Sequence, residues 1–359
     1  MNEDCLKLTI YFGERDRTDQ GFLADALSDL YARHQVQTSL LMRGIEGFGA
    51  KHHLHTDRLL TLSEDLPLVS VAVDTRVRIQ NLVDEVGGLP FDGLVTLERA
   101  RMLTDRIDAV ALPAELHEAT KLTVYVGRHE RVRGRPAYEG VVDLLHRAGV
   151  AGATVLLGLD GTAHGVRHRA RFFASNAGVP LMVIGVGDGS RIAEILPELG
   201  SMLPQPLVTL ERVRVCKRDG RLMAEPPHLP ELDESGMAIW QKLMLHSNEQ
   251  ARAHGHPLHH QVIRTLRQAG AAGATSLRGI WGYSGPRQPS GDSFWQLRRD
   301  VPVLTVIVDT PQRIRRWFAL IDELTTETGL VTCETVPAFR ATGPGIARGG
   351  LRLARPSGA

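Results

Sequence analysis

The chain has almost no net charge. Its 42 Lys+Arg stand against 41 Asp+Glu over 359 residues. That balance excludes a bulk polyanion-binding role, because nucleic-acid modules carry a clear basic excess. Cysteine is scarce too. Cys5, Cys216 and Cys333 are odd in number, far apart in sequence and without CxxC spacing. This excludes a disulfide framework and a thiolate zinc site, and it suits a reducing compartment. No apolar run reaches the roughly 18 residues of a membrane span. The polar, acidic start from Met1 to Asp4 is unlike a signal peptide. The expectation is a soluble, cytoplasmic protein with no direct membrane insertion. Catalytic signatures are also missing. There is no GxSxG, no HExxH and no nucleophile–base pattern, so no enzyme is expected. What the chain does have is a 43% hydrophobic fraction, enough to bury real cores. Its 15 His residues make its charge sensitive to pH between about 6 and 7.

The strongest positive signal is an internal repeat. Lys7-Leu8-Thr9-Ile10-Tyr11 returns as Lys121-Leu122-Thr123-Val124-Tyr125, and more weakly as Lys242-Leu243-Met244-Leu245-His246. Arg43-Gly44-Ile45-Glu46-Gly47 returns as residues 157–161 and 278–282. Leu94-Val95-Thr96-Leu97-Glu98 returns as 207–211 and 330–334. From Lys7 to Gly44, Lys121 to Gly158 and Lys242 to Gly279 the separation is 37 residues each time. Chance does not keep three landmarks in register over three copies. Units of this size exceed a solenoid repeat, so each should own a core. The units are residues 1–104, 121–215 and 238–337. Polar linkers fill 105–120 and 216–237, and a Gly-, Pro- and Arg-rich tail over 338–359 is expected to be disordered.

Each unit reads β-α-β-β-α-β. The first helix of the first unit carries Phe22, Leu23, Ala26, Leu27, Leu30 and Tyr31 as one apolar stripe. In the later units this helix should end at Gly149 and Gly270 in left-handed caps. The second helices space their apolar residues at i, i+3, i+4 and i+7, as in Ile79, Leu82, Val83 and Val86. This order predicts an α/β chain of the α+β kind, built from three ferredoxin-like units. Such a sheet has one face under two helices and one face bare, and a bare apolar face seeks a partner. The sister repeats are the nearest candidates. The recurring Lys7/Glu98, Lys121/Glu211 and Lys242/Glu334 should face each other as cross-strand ion pairs.

The first unit also holds Phe48-Gly49-Ala50-Lys51 after its Gly landmark, then His55-Thr56 and residues 62–67 (Leu-Ser-Glu-Asp-Leu-Pro). With the Lys-Leu-Thr-Ile-Tyr strand, this pattern resembles the PII-like family called domain of unknown function family 190. The third unit resembles another branch, through Arg278-Gly279-Ile280-Trp281-Gly282-Tyr283 and Val308-Asp309-Thr310-Pro311. The second matches in its strands but has a degenerate loop. The resemblance implies a trimer of these units, here closed within one chain as an intramolecular pseudo-trimer. It implies signalling: a small anionic effector, such as a nucleotide, held in clefts between repeats, and loops that touch a protein partner. A membrane transporter is one such partner. The resemblance implies no tightly bound cofactor.

Ligand contacts are expected at Gly44, Gly47, Phe48, Gly49 and Lys51, where glycines free backbone N–H groups for an anion and Lys51 adds charge. The rival reading is a tight turn at a strand end. Asp74, Thr75, Asp309 and Thr310 close the third strands of their units. They either contact ligand or cap the following helices. Arg278, Gly279 and Gly282 are the third unit's counterparts of the first loop. His53 and His55, on one side of an extended segment that also holds His52, are weak metal candidates, against a plain solvated loop. The basic loop around Arg167, His168, Arg169 and Arg171 reads as solvated surface or as a contact for an anionic partner. Two rivals to effector sensing stay open: an interaction scaffold without effector, and a metal-binding protein using the histidine loop.

Overall fold

A computed structural model describes residues 2–19, 21–49, 55–56, 65–104, 107, 119–169, 179–234, 236–285, 287–291, 300–342 and 345–348. In the first unit β1 (Asn2–Gly13), α1 (Leu23–Arg33), β2 (Thr38–Arg43) and a short β3 (Glu46–Phe48) are followed by β4 (Pro67–Thr75), α2 (Arg76–Gly87) and β5 (Gly93–Thr104). The second runs β6 (Thr120–Gly127), α3 (Ala137–Arg147), β7 (Gly152–Leu157), β8 (Asp160–Ala163), β9 (Pro180–Gly187), α4 (Gly189–Met202), β10 (Leu207–Arg212) and β11 (Arg214–Arg218). The third runs β12 (Trp240–Asn248), α5 (Leu258–Gln268), β13 (Ala274–Arg278), β14 (Trp281–Ser284), β15 (Pro302–Asp309), α6 (Pro311–Leu324), β16 (Leu330–Val336) and β17 (Ala338–Thr342). The order within each unit is β2-β4-β1-β5, β7-β9-β6-β10 and β13-β15-β12-β16, antiparallel throughout.

The period-2 pattern of the first strand sorts its side chains. Leu6, Leu8, Ile10 and Phe12 enter a core shared with Leu23, Leu27, Leu30 and Tyr31 of α1 and Ile79, Leu82 and Val86 of α2. Units two and three have matching cores under their own helices. The alternate residues face the other way, Lys7 and Tyr11 among them. Tyr11, Tyr125 and Met244 join Met42, Val71, Met182, Ile184 and Leu304 in a fourth core drawn from all three units. At about 25 cal/mol per Å² of apolar area removed from water, this shared core is what favours keeping the three bare faces together.

Strand ladders also join the units. The segment after the second strand of each unit adds an edge to a neighbour. β3 lies on β13 with Gly47 opposite Thr275, β8 on β2 with Gly161 opposite Leu40, and β14 on β7 with Gly282 opposite Thr154. The segment after the fourth strand does the same in the opposite sense. The end of β5 pairs with β10, β11 with β16, and β17 with β5. Each unit is thus hydrogen-bonded to both others.

Three expectations need correction. Phe22 lies outside the helical stripe. It precedes α1, is exposed, and sits under the Arg17 guanidinium at 4.6 Å. The stretch 216–237 is not all linker, because β11 runs into it and Arg221–Leu222 pairs back on β11. The stretch 338–359 is not all disordered, since β17 and a strand at Gly345–Arg348 lie within it. In both places an open strand edge of a neighbouring unit offers backbone hydrogen bonds that composition does not reveal. The caps at Gly149 and Gly270 are left-handed as expected, with φ of +70° and +84°.

Candidate functional site

A cleft with an apolar floor lies where the first unit meets the third. It holds about 200 Å³. The β3–β13 ladder builds one wall, with Phe48, Gly49, Gly273 and Thr275. Tyr11, Leu94, Trp240, Val306 and Val308 form the apolar floor. The polar lining is Asp16, Asp65, Asp92 and Asp309, with Arg313 as the only cationic side chain among the described residues. Two of these carboxylates also fix backbone. Asp16 accepts from the Gly13 N–H at 2.8 Å, and Asp65 from the Arg15 N–H at 2.7 Å. Asp309, buried at the end of β15, accepts from the Trp317 indole at 3.0 Å and the Thr310 N–H at 2.9 Å. Arg313 is half-exposed, 3.9 Å from Asp309. Across the same junction His260 Nδ1 meets the buried Glu46 carboxylate at 2.6 Å.

At the other two junctions, described side chains meet across the seam. Between the second and first units Arg167 holds Asp160 at 2.6 Å and also contacts Asp29, while Thr162 donates to the Val36 carbonyl at 2.9 Å. That gives Arg167 an internal partner instead of the solvated or anion-binding surface expected of it. Between the third and second, the Tyr283 hydroxyl donates to the Val150 carbonyl at 2.9 Å and its ring meets His146 edge-on.

The residues singled out from sequence separate into two groups. Phe48, Gly49 and Asp309 line the cleft. A side chain at Gly49 would meet nothing within 4 Å. Gly44 and Gly47 stand at the same junction for packing reasons. A Cβ at Gly44 would sit 2.7 Å from the Pro67 ring, and one at Gly47 2.7 Å from the Ala274 carbonyl. Gly279 and Gly282 belong to the junction of the third and second units, where a Cβ on Gly282 would lie 2.0 Å from the Ala153 carbonyl. Arg278 donates to Glu249 at 2.9 Å. Asp74 lies apart from the cleft, accepting from the Gln37 N–H at 2.8 Å. Thr75 and Thr310 take the N-cap position of α2 and α6, but neither hydroxyl caps. Among the described helices only α4 has a side-chain cap, Asp188 accepting from the Ser190 N–H. Lys51, His52 and His53 lie outside the described residues. His55 is described in backbone only, opposite Gly47.

The family model for uncharacterised ACR proteins, domain of unknown function family 190, matches residues 5–102, 119–215 and 240–338. The chain belongs to this family. It carries three copies of the family's domain in tandem. A UPF0166 protein of Aquifex aeolicus is 29% identical over 94 residues, which is 26% of this chain and 88% of that protein. Among solved structures, an aspartate kinase from Synechocystis aligns at a TM-score of 0.23 and 11% identity, over 95% of this chain and 46% of the kinase.

At the meeting point of the three family domains lies a cluster that sequence reading caught only in pairs. Lys7 contacts its own Glu98 at 2.6 Å and Glu211 of the second domain at 2.7 Å. Lys121 contacts Glu211 at 2.8 Å and Glu334 of the third at 2.6 Å. Lys242 contacts Glu334 at 3.5 Å and Glu98 at 2.8 Å. All six are buried. Burial opposes ionisation of Glu98, but Lys242, Lys7 and Lys121 outweigh it and hold the carboxyl well below its usual range. For Lys7 burial is likewise outweighed, by Glu211 and Glu98, and its ammonium is held well above its usual range. Burial wins at Lys242, where Lys121 and Lys7 add to it, and its pKa falls. Glu98, Glu211 and Glu334 are the one group among the described residues close enough together to hold a metal ion. Three ammonium groups already fill that coordination space, so the cluster reads as a structural hexad. The cleft's Asp16, Asp92, Trp240 and Arg313 were missed altogether, and Asp65 was noted only within the family pattern. They are far apart in sequence, and only the spacing of Asp309 and Arg313, one helical turn, was there to be noticed.

Proposed function

We propose that this chain is a PII-like regulatory protein: three ferredoxin-like units closed as an intramolecular pseudo-trimer, which bind a small effector between the first and third units and report it to a protein partner. The observation that carries the reading is the 200 Å³ cleft, which neither unit forms alone. Its volume is below the roughly 300 Å³ at which ordinary ligand pockets begin, so it suits one planar ring or a compact metabolite. Aromatic and aliphatic side chains on the floor suit the faces of such a ring. The four aspartates suit ring N–H or amino donors. An effector's anionic end has Arg313 to turn to. A nucleotide would then place its base in the cleft and its phosphates towards Arg313 and outside. Occupancy changes the packing of two units against each other, and a partner protein, of which a membrane transporter is one class, reads that change. Only a ligand that favours one packing state can act in this way.

The test is a thermal-shift screen of the full chain with adenosine, adenine nucleotides, cyclic nucleotides, 2-oxoglutarate, bicarbonate and divalent metals. Gly49→Leu, which fills the cleft from an open position, is the control. Native-state binding must raise the midpoint by mass action. A rise with an adenine compound that Gly49→Leu abolishes supports the reading. No rise with any small molecule favours the scaffold alternative, and a rise with metal alone favours the histidine loop.

A further inference from the structure

Two of the three cysteines, far apart in sequence, meet at the seam between the second and third units. Cys216 lies in β11, which leaves the second unit, and Cys333 lies in β16 of the third. The two strands pair with Arg214 opposite Cys333 and Val215 opposite Thr332. The register then shifts, so that Lys217 stands opposite Val331. Cys216 is the extra residue of that bulge. A bulged residue drops out of the ladder on the bulged side. The Cys216 carbonyl instead accepts from the Met223 and Ala224 N–H groups, at 2.8 and 3.1 Å.

Both side chains enter the core of the third unit, 0% and 2% exposed. There the two thiols touch. The Cys333 thiol donates to Cys216 Sγ, and the Cys216 thiol donates to the Arg214 carbonyl at 3.9 Å. The bond to Cys216, and then burial, push the Cys333 thiol above its ordinary range. With the seam closed, Cys333 is therefore un-ionised and inert.

Reactivity depends on the strand that covers the pair. Four residue pairs, interrupted by the bulge, hold β11 on β16. Among the described residues only the two-residue strand Arg221–Leu222 lies outside it in the sheet. Lys217 adds an ion pair to Asp322 of α6. A short, irregular ladder near a sheet edge is the kind of element that opens locally while the rest of a fold stays closed. When β11 lifts, both thiols reach solvent and regain ordinary cysteine chemistry. Cys5 is the contrast. It is as deeply buried, but it sits on β1 and in another core.

We propose that Cys216 and Cys333 form a dithiol redox site, which a low-molecular-weight disulfide converts to a cystine that locks the second unit to the third. One exposed thiolate attacks a sulfur of the reagent, forms a mixed disulfide and releases one thiol. The other cysteine's thiolate then attacks the protein sulfur of that mixed disulfide and releases the second thiol. The pair loses two electrons and two protons, and the reagent is reduced to two thiols. The bond closes a loop that spans 117 residues from Cys216 to Cys333, and long closed loops restrain the unfolded chain most. In a reducing compartment the seam rests on its ladder alone, and a rise in oxidised thiols makes it covalent. The site does not rest on ligand binding in the cleft.

The test incubates the full chain with oxidised glutathione until its thiol count is constant. Remaining thiols are then alkylated and the peptides mapped by mass spectrometry. The expected product carries a bond between residues 216 and 333, with Cys5 alkylated. Its melting midpoint lies at least about 3 °C above that of the reduced chain, and dithiothreitol reverses the rise. Cys216→Ala and Cys333→Ala each abolish the bond and the rise, whereas Cys5→Ala keeps both. A chain that retains all its thiols overturns the proposal. So does a glutathione adduct that persists on either cysteine, a bond that involves Cys5, or an oxidised chain that melts no higher than the reduced one.

Discussion

His246 stands in the third unit where the first two carry Tyr11 and Tyr125. It is 7% exposed, and its Nε2 has no hydrogen-bond partner among the described residues. Burial, and then the nearby Lys121 ammonium, lower its pKa from the ordinary 6.5 to about 4. In the unfolded chain the imidazole takes up a proton below about pH 6.5, while the folded chain refuses it until about pH 4. The unfolded state therefore binds more protons across that window, and stability falls as pH falls. Between pH 7.5 and pH 5 this one group should remove about 2 kcal/mol of stability. Denaturant unfolding at the two pH values checks it. His246→Tyr, which restores the residue of the other units, should show a smaller loss by that amount, and an equal loss in both proteins would refute the assignment. At this same scale the sequence was legible for charge pairing and not for convergence. Lys7 and Glu98 are opposite in register as the repeat implied. That each lysine also reaches a glutamate of the next unit depends on how three sheets meet, which no spacing within one unit encodes. A buried ion cluster of this kind adds little net stability but penalises arrangements that leave one charge unpaired, so it fixes how the units meet.

At the scale of elements, periodicity located the six long helices and the four principal strands of each unit. The short strands that pass between units were not legible as strands, because β3, β8 and β14 are three or four residues long and rich in Gly and polar residues. The sequence marked Gly47 and Gly282 as ligand-contact candidates, with a tight turn as the rival reading at the first loop, and Gly161 only as part of the repeat. The structure gives those glycines a closer reason. A Cβ at Gly161 would lie 2.0 Å from the Ser39 carbonyl across the β8–β2 ladder. Gly161→Ala must push the two strands apart, and flanking hydrogen bonds such as Thr162 N–H to Ser39 Oγ, now 3.0 Å, would lengthen with them. The expected cost is about 3 kcal/mol. Amide exchange should speed up in β8 and β2 while β13 stays protected. Exchange that speeds up uniformly, or not at all, would mean that this ladder does not hold the two units together locally. The contrast with Gly49, whose missing side chain faces open space, separates glycines kept for packing from one at the rim of a cleft.

For the whole molecule the question is which chain supplies each neighbour. The bare apolar face expected of each sheet is covered in the structure by the other two units of the same chain. Among the described residues six ladders join the units, three in each sense, and every hexad lysine touches glutamates of at least two units. These contacts are all made without a second chain. The segments between units also favour closure at home, because a tether holds each unit at high effective concentration for the others. A swapped assembly of several chains would make the same contacts and would lose this advantage as the protein is diluted. Light scattering should therefore report one species of 39.4 kDa, unchanged over a hundredfold dilution. A species three times that mass, or a mass that falls on dilution, would show that the units close between chains. The cleft between the first and third units would then be built from two molecules.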